Sequence, residues 1–439
     1  MRFWRSAQVR YKRGMARFII RGGRPLTGRY RPSGNKNAAL PMLAASLLTD
    51  EPVTLRNVPD ILDVRVMLDL LESVGVEIER RMDVVRLRAR RLRRRRFPEA
   101  LCRRIRASIL LAGPMAARAG RAALPPPGGD VIGRRRLDAH VLALRSLGIE
   151  TELGPVHTFR RRAQPKQAEI LFDEASVTAT ENALMAAALT PGEARMFNAA
   201  CEPHVQDLIR LLRAMGAEIE GEGTHCLTVR GRERLRGAEA EVGPDHIEMG
   251  SFLAASALTG GALTVDSPPD RLCCAVCRRP FDLFGVEWRW EGGALVQPPC
   301  RRLRARPALH GPIPKIEDGP WPAFPSDLMS IAIVMATQAR GTTLLFEKMF
   351  ESRLYFVDRL IEMGAHIVVC DPHRVLVSGP ARLHATSVAS PDIRAGVSMV
   401  VAALCARGVS RIEGAEVVDR GYERLEARLA GLGADIVRE

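Results

Sequence analysis

Residues 43–52 read LAASLLTDEP, and residues 253–261 read LAASALTGG. The shared phrase is a short helix of small apolar residues that stops at a polar or glycine turn. Looser copies stand at 110–120 (LLAGPMAARAG), 184–192 (LMAAALTPG), 333–341 (IVMATQARG) and 400–408 (VVAALCARG). After each copy come a strand-like run, a loop and a second apolar helix. That second helix ends on Gly75, Gly148, Gly216, Gly285, Gly364 or Gly433. These glycines recur about every 70 residues, too long a period for a thin solenoid. Alternating strands and helices in six units predict a large α/β body. Equivalent positions in the units can then be compared, and departures from the pattern mark candidate chemistry.

The chain has 439 residues, enough for two or three domains with ample cores. Hydrophobic residues make up 46% and aromatics only 5%, so those cores are aliphatic and rich in alanine. No apolar run is long enough to cross a bilayer. The first residues, MRFWRSAQVRYKRGMA, are basic but lack the apolar segment of an export signal. Met15 is a candidate translation start, because the first strand-like run, RFIIRGG, follows it closely.

The net charge of +15 invites a nucleic-acid reading, with RARRLRRRRF at residues 88–97 as the densest patch. Among the Lys and Arg residues only Lys12, Lys36, Lys166, Lys315 and Lys348 are lysine, which points to a codon bias behind the arginine. The run also falls where a solvated loop is expected, between a strand and a helix. No nucleic-acid partner is therefore expected. Of nine cysteines, Cys273, Cys274 and Cys277 cluster, with Cys300 beyond. A zinc site needs a second close pair, so these read as thiols packed in or near a core.

The six first helices begin at SGNKNA (33–38), RRIRAS (103–108), SVTATEN (176–182), HIEMGS (246–251), FPSDLMS (324–330) and SPDIRAG (390–396). Most carry Ser, Asn or Asp where a cap sits, and such helix ends favour anions. Lys36, Arg106 and Arg394 add a cation near the turn. Three of the loops before the second helices add Arg134, Arg135 and Arg136, then Arg353, then Arg420. If these ends share one cleft, its ligand is a polyanion bearing phosphates or carboxylates. The longest of these loops spans 122–136. Pro125, Pro126 and Pro127 stiffen one arm, Gly128 and Gly129 offer a hinge, and Asp130 stands at the apex. Such a loop can act as a lid.

The segments GRYRPSGNKNAALPMLAASLL, IRASILLAGPMAAR, PGGDVIGRRRLDAH, SVTATENALMAAA, PAFPSDLM, FESR, DIRAG and DRGYERLE together resemble the enolpyruvyl transferases. The likeness is to the branch acting on UDP-N-acetylglucosamine and runs from about Arg17 to Arg438. It implies a two-domain inside-out α/β barrel of six βαβαββ repeats. One domain would be 36–243 with the 122–136 lid, the other 1–35 plus 244–439. It implies transfer of the enolpyruvyl group of phosphoenolpyruvate to the 3-hydroxyl of UDP-N-acetylglucosamine with release of phosphate, the first committed step of peptidoglycan synthesis. The implied partners are those two small molecules; no cofactor, metal or membrane insertion is implied, and the protein would be a cytoplasmic monomer with weak self-association at most.

Residue by residue, the resemblance assigns Lys36, Asn37, Arg135, Arg394 and Arg420 to phosphoenolpyruvate. It assigns Asn37, Arg106, Arg135, Arg136, Leu137, Asp138, Ala139, Ser176, Val177, Asp327 and Met349 to the sugar nucleotide. Lys36, Asp130, Asp327 and Arg394 take catalytic roles, with Asp327 the base on the sugar hydroxyl, provided the arginines lie across the pocket from it. His140 and Arg353 look like support.

The chain departs from the family pattern at several places. Asp130 stands where most members carry Cys, at the position that protonates the methylene carbon of phosphoenolpyruvate. In water a thiol loses its proton at a pKa of about 8.5 and an aspartic acid at about 3.9. Lid closure would therefore have to desolvate this acid to protonate it, against its neighbouring arginines. The same change implies insensitivity to fosfomycin, an epoxide that alkylates the thiol. Arg136, Thr178, Cys201, His204 and His246 also depart, which leaves open a paralogue acting on another acceptor, shikimate 3-phosphate or a modified sugar nucleotide.

Overall fold

The computed structural model describes residues 16–130, 132–133, 136–300, 302–307 and 313–439. The six glycines that close the repeat all have positive φ, from 76° to 109°. Glycine reaches this region without a Cβ clash, so it ends a helix cheaply. After five of them the next amide returns to the last helical turn: Val76 to the Leu71 carbonyl (3.1 Å), Ala217 to Leu212 (3.0 Å), Val286 to Phe281 (2.8 Å), Ala365 to Leu360 (2.9 Å) and Ala434 to Leu429 (3.0 Å). The turn that the sequence repeats is thus one capping geometry used repeatedly.

Among the described residues each unit owns one sheet, five of four strands and one of three. The fifth shows the plan. Lys315–Glu317 lies parallel to Gly341–Phe346, which pairs antiparallel with Arg374–Gly379, and His366–Asp371 forms the far edge. Three strands come from distant stretches of chain. Ala238–Glu241 supplies the parallel edge of the first unit beside Pro52–Arg56. Gly28–Tyr30 does the same for the fourth beside Leu263–Val265. Arg17–Arg21 completes the last sheet between Val409–Glu413 and Asp435–Arg438. In the second unit the parallel edge is only a bridge from Arg96 to Ala123. The arginine run is therefore exposed at its side chains yet pinned by backbone bonds, Ala123 to the Arg95 carbonyl (2.7 Å) and Phe97 to the Ala123 carbonyl (3.0 Å).

The first helices form the centres. Lys36–Ala45, Ala112–Ala119 and Val177–Ala188 are buried on nearly every side, as are His246–Thr259, Met329–Gln338 and Ile393–Cys405. Helices apolar all round belong inside, which is why this phrase is so rich in Ala and Leu. Two apolar clusters result. One draws on residues from Ala38 to Val242, the other on Phe18 to Tyr30, Cys201 and Ile247 to Ile436. The two chain passages between them hydrogen bond to each other, Asn35 N to the Gly243 carbonyl (2.7 Å) and Asp245 N to the Ser33 carbonyl (2.8 Å). Burial pushes the Glu248 carboxyl beside this crossing up to about 7, although Arg428 pairs with it at 2.7 Å. The nine cysteines are free, five of them buried, including Cys273, Cys274 and Cys277.

Candidate active site

Side-chain caps appear at three of the six first helices. Asn35 accepts from the amides of Asn37 (2.8 Å) and Ala38 (3.3 Å). Asp245 accepts from Ile247 and Glu248, and Asp392 from Arg394 (2.8 Å) and Ala395 (3.0 Å). Lys36 and Arg394 therefore sit in the first turns of capped helices, their backbones fixed where the positive dipole ends lie. Ser176 occupies the cap position of Val177–Ala188 but makes no side-chain cap bond.

The structure brings Lys36, Arg353, Arg394 and Arg420 into one charged cluster around three acids. Lys36 Nζ lies 3.2 Å from Asp63 Oδ2, and Arg420 Nε donates to Asp63 Oδ1 at 3.0 Å. A second Arg420 nitrogen donates to Asp130. Arg394 donates to one oxygen of Asp327 at 2.8 Å and Arg353 to the other at 2.9 Å. Burial pushes the Asp327 carboxyl up, but Arg394, Arg353 and Lys36 outweigh it and hold the group well below the usual carboxylate range. Lys36 thus belongs to both acid groups. Arg394 Nη1 and Arg353 Nε are buried donors with no acceptor among the described residues. Such donors cost free energy until an anion takes them.

The arginines do not lie across a pocket from Asp327, as the sequence reading required of a base. They hold it. Opposite charges on neighbouring elements pair directly unless something separates them, and nothing in a linear sequence says which acid they will find.

Asp63, which pairs with both Lys36 and Arg420, is the member of this cluster that sequence reasoning missed. Its loop, NVPDILDV, occupies the place where other units carry Arg353 and Arg420, and two acids there with no arginine, Asp60 and Asp63, were the available signal. The Asp63 side chain is 5% exposed against 27% for Asp327, so Asp327 is the more accessible of these two acids.

Residues 122–124 of the expected lid form a buried strand, Arg121–Leu124, so the loop proper starts at Pro125. The glycine pair is not a free hinge. A Cβ on Gly128 would stand 1.7 Å from the Arg103 carbonyl oxygen, and the Gly128 amide donates to the Cys102 carbonyl at 3.1 Å. Beyond the apex, Ser352 N donates to the Ile132 carbonyl at 3.2 Å. With the Asp130–Arg420 bond, the loop therefore spans from the first apolar cluster's side to the second's.

Arg106 reaches the Arg136 carbonyl at 3.4 Å, and Arg136 pairs with Asp138, which begins the helix Asp138–Ser146. Leu137 is half-buried and Ala139 buried. Arg135 lies outside the described residues, as does Arg134. His140 is buried, with Nε2 3.1 Å from Thr178 Oγ1 and Nδ1 3.2 Å from Asn182 Nδ2. Burial, reinforced by Arg106, lowers it to about 3, so the ring is neutral and acts as a strut between two helices. The departure at Thr178 thus gives His140 its partner. Met349 is exposed, and its amide donates to Glu347 Oε1 at 3.2 Å.

A family model described as EPSP synthase (3-phosphoshikimate 1-carboxyvinyltransferase) matches residues 20–429, and the chain belongs to this family. Within it, a UDP-N-acetylglucosamine 1-carboxyvinyltransferase of Treponema denticola is 49% identical over 423 residues, covering 96% of this chain and 99% of the relative. One of Bradyrhizobium diazoefficiens is 50% identical over 424 residues, covering 96% and 97%. Among solved structures, the enolpyruvyl transferase NikO from Streptomyces tendae superposes with a TM-score of 0.85 at 24% identity, over 97% of this chain and 99% of that one. EPSP synthase from Acinetobacter baumannii gives 0.72 at 18%, over 97% and 100%. These two likenesses concern the fold, an α/β architecture shared with enolpyruvyl transferases.

Proposed function

We propose that this chain transfers the enolpyruvyl group of phosphoenolpyruvate to the 3-hydroxyl of UDP-N-acetylglucosamine, releasing phosphate, and so begins peptidoglycan synthesis. The observation that carries the reading is the convergence of Lys36, Arg353, Arg394 and Arg420 with two unused guanidinium donors. Full-length likeness to the relatives above supports the choice of acceptor.

In this reading the internal acids stand in for the ligand. The carboxylate and phosphate of phosphoenolpyruvate replace Asp327 on Arg394 and Asp130 on Arg420, with Lys36 between them. Losing a guanidinium makes Asp327 a stronger base, so it can take the proton of the sugar hydroxyl as that oxygen attacks C2. Asp130, displaced from Arg420 and protonated as closure expels water, gives its proton to the methylene carbon; that carbon then returns a proton to the Asp130 carboxylate as the C–O bond to phosphate breaks and the double bond returns. Binding of the small anion thereby switches the base on. Asn37, Arg106, Arg135, Arg136, Leu137, Asp138, Ala139, Ser176, Val177 and Met349 are proposed to hold the sugar nucleotide. Residues 36–243 and 1–35 plus 244–439 would act as two domains about the crossing strands, with the loop from Pro125 as lid. No helix among the described residues is long and apolar enough to cross a membrane; a cytoplasmic monomer is the proposed state.

The test is phosphate release with phosphoenolpyruvate and each acceptor separately. Release with UDP-N-acetylglucosamine supports the proposal, and release only with shikimate 3-phosphate or a modified sugar nucleotide overturns its acceptor.

A further inference from the structure

Behind Asp327 lies a pair of acids that the reaction does not use. The parallel strands Lys315–Glu317 and Gly341–Phe346 end side by side, so the next residue of each, Asp318 and Glu347, faces the other. Asp318 is 1% exposed and Glu347 is fully buried. Neither carboxyl has a salt-bridging Lys, Arg or His among the described residues. Glu347 accepts from Ser326 Oγ at 2.9 and 3.0 Å, and from the amides of Met349 (3.2 Å) and Phe350 (3.1 Å). Asp318 Oδ1 accepts from the Lys348 amide at 2.5 Å, while its Oδ2 is buried with no donor. Two buried carboxylates facing each other with one oxygen orphaned would be costly. One proton on Glu347 removes the repulsion and supplies the missing donor.

We propose that Glu347 and Asp318 share a single proton, and that this carboxyl pair is the positioning element for Asp327 and the loop carrying Met349 and Arg353. The geometry runs through adjacent residues. Ser326, which bonds Glu347, precedes Asp327. Met349 and Phe350, whose amides bond the same carboxyl, lead into Arg353, which grips Asp327. One side chain thus ties together both sides of the Asp327–Arg353 contact. Burial and then Asp318 push Glu347 well above the ordinary carboxylate range, against Arg353 and the Ser326 hydroxyl. His373 Nδ1 donates to the Glu347 backbone carbonyl at 2.7 Å, and Lys348 Nζ pairs with Glu317 at 3.0 Å, so neither side chain pairs with the two carboxyls. The proton's contribution is present at low pH and disappears as pH rises through the raised value.

The inference that the pair serves catalysis rests on the proposed role of Asp327; the shared proton does not. Infrared difference spectra at neutral pH, whole parent protein minus variant, should show a protonated carboxyl band lost in both Glu347→Gln and Asp318→Asn, on top of the band that Glu248 gives in all three. Either amide supplies a permanent N–H donor in place of the proton. In turnover assays both variants should keep most of their kcat and lose part of the wild-type fall at alkaline pH, while Glu347→Ala should lose about 100-fold in kcat through misplacement of the base. An unchanged infrared band in both amide variants would overturn the shared proton. A missing band with the wild-type alkaline limb intact in both would overturn the positioning role. Since the infrared arm needs no turnover, failure of the functional reading would be seen separately.

Discussion

Asp327 and Glu248 are both acids joined to an arginine inside the protein, and they respond oppositely. Glu248, at the crossing between the two apolar clusters, has Arg428 at 2.7 Å, yet burial leaves it raised to about 7 with Asp245 nearby. Asp327 has Arg394 at 2.8 Å, Arg353 at 2.9 Å and Lys36 in range, and is held far down. One guanidinium does not offset burial; two and an ammonium do. Three cations therefore act on Asp327, where one acts on Glu248. Several cations converging on one partly buried place are what a small, multiply charged anion needs.

That contrast can be broken most sharply at Lys36. Lys36→Ala should drop phosphate release by more than the roughly 10²–10³-fold typical of one lost donor, because it removes a charge as well; turnover assays read this directly. Asp327→Asn keeps the shape but cannot take a proton, and should cost about 10²–10⁴-fold in kcat. Measuring phosphoenolpyruvate affinity in the same variant sharpens the switch, since freeing Arg394 and Arg353 should tighten binding while turnover collapses. Asp130→Cys should move the pH–rate profile to higher pH and confer an intact-mass adduct with fosfomycin that the parent protein lacks. Identical profiles would remove Asp130 from the protonation step. The smallest effect belongs to the crossing. A carboxyl raised in the folded state favours folding fully below its unfolded value, and that benefit is lost as pH rises through about 7. Glu248→Gln should accordingly show a smaller fall in Tm between acidic and neutral pH than the parent.

Much of this architecture is legible in the amino-acid sequence. Gly75, Gly148, Gly216, Gly285, Gly364 and Gly433 mark six helix ends because only glycine takes that backbone turn cheaply. Asn35, Asp245 and Asp392 mark helix starts because a short acceptor beside free amides has one evident use. Lys36, Arg394 and Arg420 stand out by equivalence between units. What the sequence hides is pairing. Asp63 joins Lys36 to Arg420, and Asp318 meets Glu347, only because strands and helices from different stretches end together. The same blindness sets the arginines across the pocket from Asp327 when they grip it. Local rules report which backbone a residue favours; which opposite charge it meets is decided by tertiary topology.

The central claim is that this cluster of cations binds phosphoenolpyruvate beside a sugar nucleotide. Purified protein mixed with phosphoenolpyruvate and UDP-N-acetylglucosamine should release inorganic phosphate, with none from either substrate alone and none from Lys36→Ala. Absence of phosphate from the parent protein, or release that persists undiminished in Lys36→Ala, would contradict the account.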